Sequence, residues 1–211
     1  MEHTQALAAS LRPAVFLDRD GVIVEEVGYL AHPDQLVLIP GAADAIGRLN
    51  RAGLAVVVVT NQAGVARGLY PESRVEEVHR RLSAMLAEAG AHIDRYYYCP
   101  HHPHEGRGEY RMACSCRKPE PGMILRAATE LRLDIARSFL VGDKLSDLEA
   151  GMRAGCQPML VLTGYGLEHR ERLAGRLADV TRVVRALSDA VDVCLTGLAP
   201  RSGRSRARKT A

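Results

Sequence analysis

Short apolar runs alternate along the chain with longer segments of helical periodicity. Ala14 to Leu17 and Leu54 to Val59 are unbroken apolar runs, and the second is rich in β-branched valine. Runs of this length predict strands that are buried on both faces of a parallel sheet. The same criterion predicts further strands over residues 93–98, 139–141 and 159–162.

Helices are predicted between these strands. Residues 41–50 place apolar side chains at helical spacing, and Pro71 opens a long helix that Gly90 closes. Two further helices are predicted, one from Pro121 and one over residues 146–154. Strands that alternate with helices predict an α/β fold, a Rossmann-like parallel sheet flanked by helices. We expect a single domain over residues 12–195.

Polar residues follow the predicted strands where each one ends. The first strand is followed by the sequence DRDG from Asp18, the second by Thr60-Asn61-Gln62, and the strand at 139–141 by Gly142-Asp143. In open parallel sheets, ligands bind beyond the carboxyl ends of the strands. The sequence therefore predicts a polar site at this edge.

Two aspartates in this group suit phosphate chemistry. Asp18 and Asp20 are two residues apart, so an extended backbone would point both carboxylates to one side. They repel each other unless a metal neutralises one or one is protonated, which suits a nucleophile beside an acid/base. Attack on a phosphate ester also needs cations and donors, and Lys118 and Asp147 are candidates for the surroundings. By itself, Asp-x-Asp is equally compatible with a helix cap or a loop.

The composition is that of a soluble globular protein, with 211 residues, 47% hydrophobic and 25% charged. No apolar run approaches the roughly 20 residues that span a bilayer, and the N-terminus lacks a secretory signal, so we expect a cytoplasmic protein without membrane partners. The segment from Arg201 to Lys209 holds five cations, and removing them from the net charge of +3 leaves −2 for the body. We expect residues 196–211 to be a disordered basic tail, the protein to be a monomer, and no nucleic-acid partner.

Three cysteines cluster with histidines in residues 99–116. Cys99-Pro100-His101 is followed, after twelve residues, by Cys114-Ser115-Cys116. Three thiolates and one imidazole form a closed tetrahedral set for structural Zn²⁺. His102 and His104 are near enough to replace His101 as a ligand. The alternative to a metal site is a set of buried thiols with a solvent-facing His101. Because Lys118 lies two residues after Cys116, a bound zinc would fix its position.

The strand-end motifs resemble those of the haloacid dehalogenase (HAD)-like phosphatases. The matching elements are DRDGV at 18–22, Thr60, Lys118 and GDKLSD at 142–147. The resemblance implies Asp18 as nucleophile and Asp20 as general acid and then base, with Thr60 and Lys118 on the phosphoryl oxygens. It implies Mg²⁺ held by Asp18, the backbone carbonyl of Asp20, and Asp143. Val22 stands where threonine is common, and the short segment between Asp18 and Thr60 leaves room only for a minimal cap.

Two longer strings narrow the resemblance. TNQAGVARG at 60–68 and the segment from Tyr96 to Met123 resemble D-glycero-D-manno-heptose 1,7-bisphosphate 7-phosphatases. That family implies removal of the 7-phosphate from a sugar bisphosphate, on the way to the heptose of the lipopolysaccharide core. The residues that would contact substrate are Glu26, Val27, Gly28, Tyr29, Asn61, Gln62, Ala63, Arg117 and Lys144. Arg117, with Lys144, would recognise the distal phosphate; the alternative for Arg117 is a surface charge.

Two other functions remain in competition. Histidinol-phosphate phosphatases resemble this chain but have fewer residues between the two halves of the zinc loop. A catalytically inactive, zinc-stabilised binding module, with its basic tail on nucleic acid, is the alternative from another class. The near-neutral body and the complete set of Asp18, Asp20, Lys118 and Asp143 argue against this second alternative.

Overall fold

A six-stranded parallel sheet forms the centre of the protein. The computed structural model describes residues 11–106 and 108–198. Within them the strands pair in the order β3-β2-β1-β4-β5-β6, each parallel to its neighbours. They are β1 (Ala14–Leu17), β2 (Ala55–Asn61), β3 (Arg95–Cys99), β4 (Phe139–Gly142), β5 (Gln157–Val161) and β6 (Arg182–Val184).

Helices connect the strands and cover both faces of the sheet. They are α1 (Ala42–Arg51), α2 (Glu72–Glu88), α3 (Gly122–Leu131), α4 (Leu145–Ala154), α5 (Gly166–Glu171), α6 (Gly175–Val180) and α7 (Leu187–Leu198). Short 3₁₀ turns occupy Pro33–Gln35, Gly108–Tyr110 and Ile135–Arg137.

The core has one layer on each face of the sheet. In β1, Val15 and Leu17 pack with α1, α2 and α7, whereas Ala14 and Phe16 pack with α3 and α4. Side chains of a strand alternate between its two faces, so a strand covered on both sides needs apolar residues at every position. This explains the unbroken apolar runs of the sequence.

The predicted α/β fold with a parallel sheet is confirmed. The strand expected at 93–98 begins at Arg95 and ends at Cys99. No element was predicted after residue 162, yet α5, α6, β6 and α7 lie there, and α7 buries Leu187 and Val191. Helix α7 continues to Leu198, past the boundary expected at residue 195, and the rest of the basic tail lies outside the described residues.

The strand order reverses at β1. The chain runs outward from β1 through β2 to β3, then returns to place β4 on the other side of β1. Ligands of such sheets bind in the crevice at this reversal, beyond the strand ends. The backbone N–H of Asp18 donates to the carbonyl of Val141 at 3.0 Å, which ties the ends of β1 and β4 together at that point.

None of the helices within residues 11–106 and 108–198 combines the length and the apolar character that crossing a bilayer requires.

Candidate active site

Asp18 lies at the end of β1 with 5% of its surface exposed. Its Oδ1 lies 3.0 Å from Nζ of Lys118 and accepts a hydrogen bond from the N–H of Arg19 at 2.8 Å. Burial would raise the pKa of Asp18, but the charges of Lys118 and Lys144 outweigh it and lower the pKa below its ordinary value. Asp18 is therefore held as a carboxylate, the form that can act as a nucleophile.

Lys118 is buried and places its ammonium among three acceptors. Nζ donates to the carbonyl of Val59 at 2.7 Å and lies 3.0 Å from Asp18 and 2.6 Å from Asp147. Its backbone exchanges two 3.0 Å hydrogen bonds with the side-chain amide of Asn61. Burial opposes the charge of Lys118, but the two aspartates raise its pKa. Asn61, predicted as a substrate contact, therefore fixes the backbone of Lys118.

Three carboxylates converge beside this lysine. Asp18, Asp143 and Asp147 each offer an oxygen within 4.8 Å of the others. Oδ2 of Asp143 accepts from the N–H of Tyr165 at 2.9 Å, whereas its buried Oδ1 has no hydrogen-bond donor among the described residues. Burial, followed by the charge of Asp18, raises the pKa of Asp143 to about 8.

These observations fit a divalent cation. The pKa of Asp143 is raised because nearby positive charge does not compensate for its burial, and a divalent ion beside the three carboxylates would supply that charge. Carboxylate oxygens are the ligands that Mg²⁺ prefers, and Oδ1 of Asp143, which accepts no hydrogen bond from the described residues, is available to bind it. Asp147 accepts from the N–H of Lys144 at 3.0 Å and pairs with Lys118, so it orients the cations of the site.

Two glycines leave the space that the Asp143 carboxylate occupies. A Cβ on Gly21 would lie 2.2 Å from Oδ2 of Asp143, and one on Gly164 would lie 2.3 Å from the same atom. The Thr163 hydroxyl donates to the carbonyl of Gly21 at 2.6 Å and joins the two segments. The turn after β5 thus packs against the turn after β1 around Asp143.

Asp20, the predicted acid/base, is half-buried and lies in a hydrogen-bonded group. Its Oδ2 accepts from Nε2 of Gln62 at 2.9 Å, and the same nitrogen lies 2.9 Å from Oγ1 of Thr60. Thr60 is buried at 1% exposure near the end of β2. Asp20, the predicted acid/base, and Thr60, the predicted phosphate-binding residue, therefore both contact the side-chain amide of Gln62.

The flap between β1 and α1 carries the predicted contacts 26–29. It returns antiparallel through the pairing of Val24 with Leu38. Oε1 of Glu26 accepts from the N–H of Gly28 at 2.7 Å, while Val27 is 47% exposed and Tyr29 39% exposed. The structure thus presents two of these side chains to solvent.

Lys144 lies between the flap and the turn after β5. Its Nζ is 2.9 Å from Oε2 of Glu26 and 4.6 Å from the ring centre of Tyr165. A cavity of about 530 Å³, lined by both Glu26 and Tyr165, opens beside them. Burial opposes the charge of Lys144, but neighbouring carboxylates, Asp18 first, raise its pKa. Ala63, a further predicted contact, is half-buried after β2.

The second predicted site is a compact cluster of three sulfurs and one imidazole. The sulfur of Cys116 lies 3.2 Å from those of Cys99 and Cys114, which are 3.5 Å apart. Nδ1 of His101 lies 3.6 Å from the sulfur of Cys99 and 3.5 Å from the sulfur of Cys116. A tetrahedral zinc with Zn–S bonds of about 2.3 Å sets sulfur separations of roughly 3.8 Å, whereas a disulfide requires about 2.05 Å. The cluster fits structural Zn²⁺, and its cysteines are free.

The hydrogen bonds of His102 help to show which histidine belongs to the sulfur cluster. Nδ1 of His102 accepts from the N–H of His104 at 3.3 Å and of Glu105 at 2.9 Å, so it is turned into its own loop. Only His101 joins the four-residue group of possible ligands among the described residues.

Arg117 follows the cluster and is half-buried. Its Nη1 donates to the carbonyl of His101 at 3.0 Å. The guanidinium is therefore anchored to the loop that holds the sulfurs, which limits the directions in which its other N–H groups can point.

Sequence reasoning missed four residues of this region. Arg19 contacts Asp20, Tyr70 contacts Gln62, and the turn after β5 supplies Thr163 and Tyr165. The turn after β5 had the same signal as the other strand ends, namely polar residues directly after a buried apolar run. Arg19 and Tyr70 had no such signal.

The fold and site define the class of protein. A family model described as HAD-hydrolase-like matches residues 115–190. A crystal structure of D,D-heptose 1,7-bisphosphate phosphatase from B. bronchiseptica, complexed with magnesium and phosphate, is similar at a TM-score of 0.78 and 37% identity. The match covers 87% of this chain and 98% of that one. The fold is therefore that of a HAD-like phosphatase.

Further relatives define the family within this class. A D-glycero-beta-D-manno-heptose-1,7-bisphosphate 7-phosphatase of Escherichia coli (strain K12) is 45% identical over 153 residues, which are 72% of this chain and 80% of that protein. A structure of D,D-heptose 1,7-bisphosphate phosphatase from Burkholderia thailandensis shares 33% identity at a TM-score of 0.65, covering 88% of this chain and 99% of that one. The chain belongs to the D-glycero-D-manno-heptose 1,7-bisphosphate 7-phosphatase family.

Proposed function

We propose that this protein removes the 7-phosphate of D-glycero-D-manno-heptose 1,7-bisphosphate, in the supply of heptose for lipopolysaccharide. One observation carries the proposal: in a member of this family, the buried carboxylate of Asp18 lies 3.0 Å from the buried Lys118. Beside it lies Asp143, whose Oδ1 accepts no hydrogen bond from the described residues. The histidinol-phosphate and binding-module alternatives are not favoured by the relatives.

The reaction proceeds in two displacements at phosphorus. Asp18 attacks the 7-phosphate, and the bond from phosphorus to the sugar oxygen breaks as Asp20 gives that oxygen a proton. Asp20 then takes a proton from a water molecule, whose oxygen attacks the aspartyl-phosphate. The bond from phosphorus to Asp18 breaks, which releases inorganic phosphate and restores the carboxylate.

The surroundings of Asp18 balance the charge of the reaction. Thr60, near the end of β2, and Lys118, in the loop before α3, would donate hydrogen bonds to the phosphoryl oxygens. Asp18, the backbone carbonyl of Asp20 and Asp143 would hold Mg²⁺, which supplies positive charge against the repulsion between nucleophile and phosphate.

Lys144 and Arg117 are the candidates for the distal phosphate. Lys144 contacts Glu26, which lines the cavity beside the flap, and Arg117 follows the sulfur cluster next to Lys118. A bisphosphate carries a second dianion that a monophosphatase need not recognise, and two further cations near the reacting lysine suit that requirement. Glu26 and Tyr165 orient Lys144 from two sides.

Zn²⁺ in the sulfur cluster would have a structural role. The cluster offers four ligands and so leaves no position for a substrate. Closing the loop fixes the start of the segment that leads to Lys118. Clustered cysteines that bind metal and form no disulfide are typical of reducing compartments, which supports action in the cytoplasm.

The test is a ³¹P NMR time course with D-glycero-β-D-manno-heptose 1,7-bisphosphate and Mg²⁺. We expect one equivalent of inorganic phosphate, with the 1-phosphate signal retained and the 7-phosphate signal lost. Brief chelation with EDTA, under conditions in which elemental analysis shows that zinc is retained, should stop the reaction, and fresh Mg²⁺ in excess should restore it. Loss of the 1-phosphate, or turnover that EDTA leaves unchanged, would contradict the proposal.

A further inference from the structure

The guanidinium of Arg19 is buried in the protein behind Asp20. Arg19 is 1% exposed, although it lies between two aspartates at a strand end. Its Nε donates to Oδ1 of Asp20 at 3.0 Å, and its Nη2 donates to Oδ2 at 2.9 Å. The third nitrogen, Nη1, is buried without a hydrogen-bond partner among the described residues. The guanidinium of Arg19 is therefore paired with a single carboxylate, that of Asp20, through two hydrogen bonds.

The surroundings of Arg19 provide no other counter-ion that the described contacts show. His79, which is buried nearby, stacks on Tyr96 with ring centres 4.5 Å apart. Burial, followed by the charge of Arg19, lowers the pKa of His79 to about 3, so this neighbour is neutral. Removing a charge from water costs several kcal/mol, and a buried ion pair is poor evidence for a stabilising role. The pair with Asp20 therefore calls for a functional explanation.

The opposite side of Asp20 is held by an amide of fixed orientation. The Tyr70 hydroxyl donates to Oε1 of Gln62 at 3.0 Å, which directs the NH₂ group of Gln62 toward Asp20 and Thr60. Tyr70 is itself confined, because a Cβ on Gly64 would lie 2.4 Å from its ring. Both oxygens of Asp20 thus have donors whose own positions are set by packing.

We propose that Arg19 is a positioning residue for the acid–base step, holding the carboxyl group of Asp20 at the place where it gives its proton to the departing sugar oxygen. The inference rests on the proposed function, since it assigns Arg19 a role in that reaction. The guanidinium fork is planar and rigid, so two parallel hydrogen bonds set both the position and the rotation of a carboxylate. A lysine at this position could supply the charge but not the two parallel hydrogen bonds that fix the rotation of the carboxyl group.

A general acid can be detected because its loss lowers kcat/KM most for substrates whose leaving group must be protonated. An alkoxide leaving group needs a proton as it departs, whereas 2,4-dinitrophenolate departs without one. The experiment compares kcat/KM of Arg19→Met and Arg19→Lys with the wild-type enzyme, on a simple alkyl phosphate and on 2,4-dinitrophenyl phosphate. We expect a loss of roughly 10²-fold on the alkyl phosphate, the usual effect of a misplaced catalytic group, and little change on the aryl phosphate.

Asp20→Asn is the reference, and Arg48→Met is the control. Arg48 pairs with Asp192 at the surface, remote from the site, so this variant should match the wild-type enzyme on both substrates. In a double-mutant cycle, adding Arg19→Met to Asp20→Asn should cause no further loss on the alkyl phosphate. Tyr70→Phe, which releases Gln62, tests the same positioning if the Arg19 variants fail to fold, and its loss should again be confined to the alkyl phosphate.

The outcomes separate this inference from the function on which it rests. A selective loss in Asp20→Asn with an equal loss on both substrates in the Arg19 variants would overturn the role of Arg19 alone. An additive loss in the double variant would do the same. If Asp20→Asn is itself insensitive to the leaving group, the acid role of Asp20 and the inference both fail.

Discussion

Nζ of Lys118 lies 3.0 Å from Oδ1 of Asp18, although Asp18 directly follows β1 and Lys118 lies in the loop between β3 and α3. The same ammonium lies 2.6 Å from Asp147 and donates to the carbonyl of Val59, so three oxygen atoms surround it. A phosphoryl oxygen that binds Lys118 must therefore replace one of these contacts. The site is charge-paired before substrate arrives, and the nucleophile is one member of the pair.

Replacement of the nucleophile is the first prediction. Asp18→Asn should reduce turnover below detection, because an amide cannot form the acyl phosphate, while circular dichroism shows an unchanged fold. Acid quenching of the wild-type enzyme during turnover, followed by peptide mass spectrometry, should locate the phosphate on Asp18. A phosphate adduct on another residue would refute the assignment of the nucleophile.

The sulfur cluster gives the second prediction. Cys114→Ala should lower both zinc content and thermal stability, and should reduce kcat/KM by about 10²-fold through displacement of Lys118, with extra Mg²⁺ giving no rescue. Cys156→Ala is the matched control, since Cys156 is buried outside the cluster. Full activity in protein that contains no zinc by elemental analysis would rule out the structural-zinc proposal.

The glycine beside Asp143 gives the third prediction. Gly164→Ala would place a Cβ 2.3 Å from Oδ2 of Asp143 and 2.6 Å from Cα of Gly21, so the carboxylate must move. We expect Mg²⁺ affinity, measured by calorimetry, to fall about 10–100-fold, as for other changes to groups that orient a metal ligand.

A second glycine supplies the control for this variant. Gly175 has φ of +56°, against +55° for Gly164, but a Cβ there would meet nothing within 4 Å. Gly175→Ala thus incurs the same backbone strain, roughly 1–2 kcal/mol, without touching the site. Equal Mg²⁺ affinities in the two variants would show that the contact with Asp143 does not matter for the metal.

Arg117 gives the fourth prediction. If it contacts the distal phosphate, Arg117→Ala should lower kcat/KM for the bisphosphate far more than for heptose 7-phosphate. A charge-assisted hydrogen bond contributes about 1.5–3 kcal/mol, or one to two decades in rate. Because Arg117 also donates to the carbonyl of His101, an equal loss on both substrates would mean that it serves the loop instead.

Much of this arrangement follows from strand ends that the sequence reveals. Asp18, Thr60 and Asp143 each follow or end an apolar run, and parallel strands bring their carboxyl ends to one edge. Local pattern and fold class thus suffice to place these three near one another. Lys118 was placed through the motif resemblance, since no regular element of the sequence leads to it.

Other features depend on contacts that no local pattern contains. Arg19 stands between two acids in the sequence, and no local pattern there indicates that it is buried near His79 and Tyr70. The choice of His101 over His102 rests on hydrogen bonds within the loop. No element was predicted at helix α7, although its buried residues lie at helical spacing and complete one face of the core, namely Leu187, Ala190, Val191 and Cys194.

The most direct test of the central claim is a comparison of kcat/KM for phosphate release from D-glycero-β-D-manno-heptose 1,7-bisphosphate, heptose 7-phosphate and histidinol phosphate. All three present a primary phosphate monoester, so the comparison isolates recognition of the rest of the substrate. We predict the highest value for the bisphosphate, by at least the one to two decades that one charge-assisted contact supplies. An equal or higher value for histidinol phosphate would contradict the account.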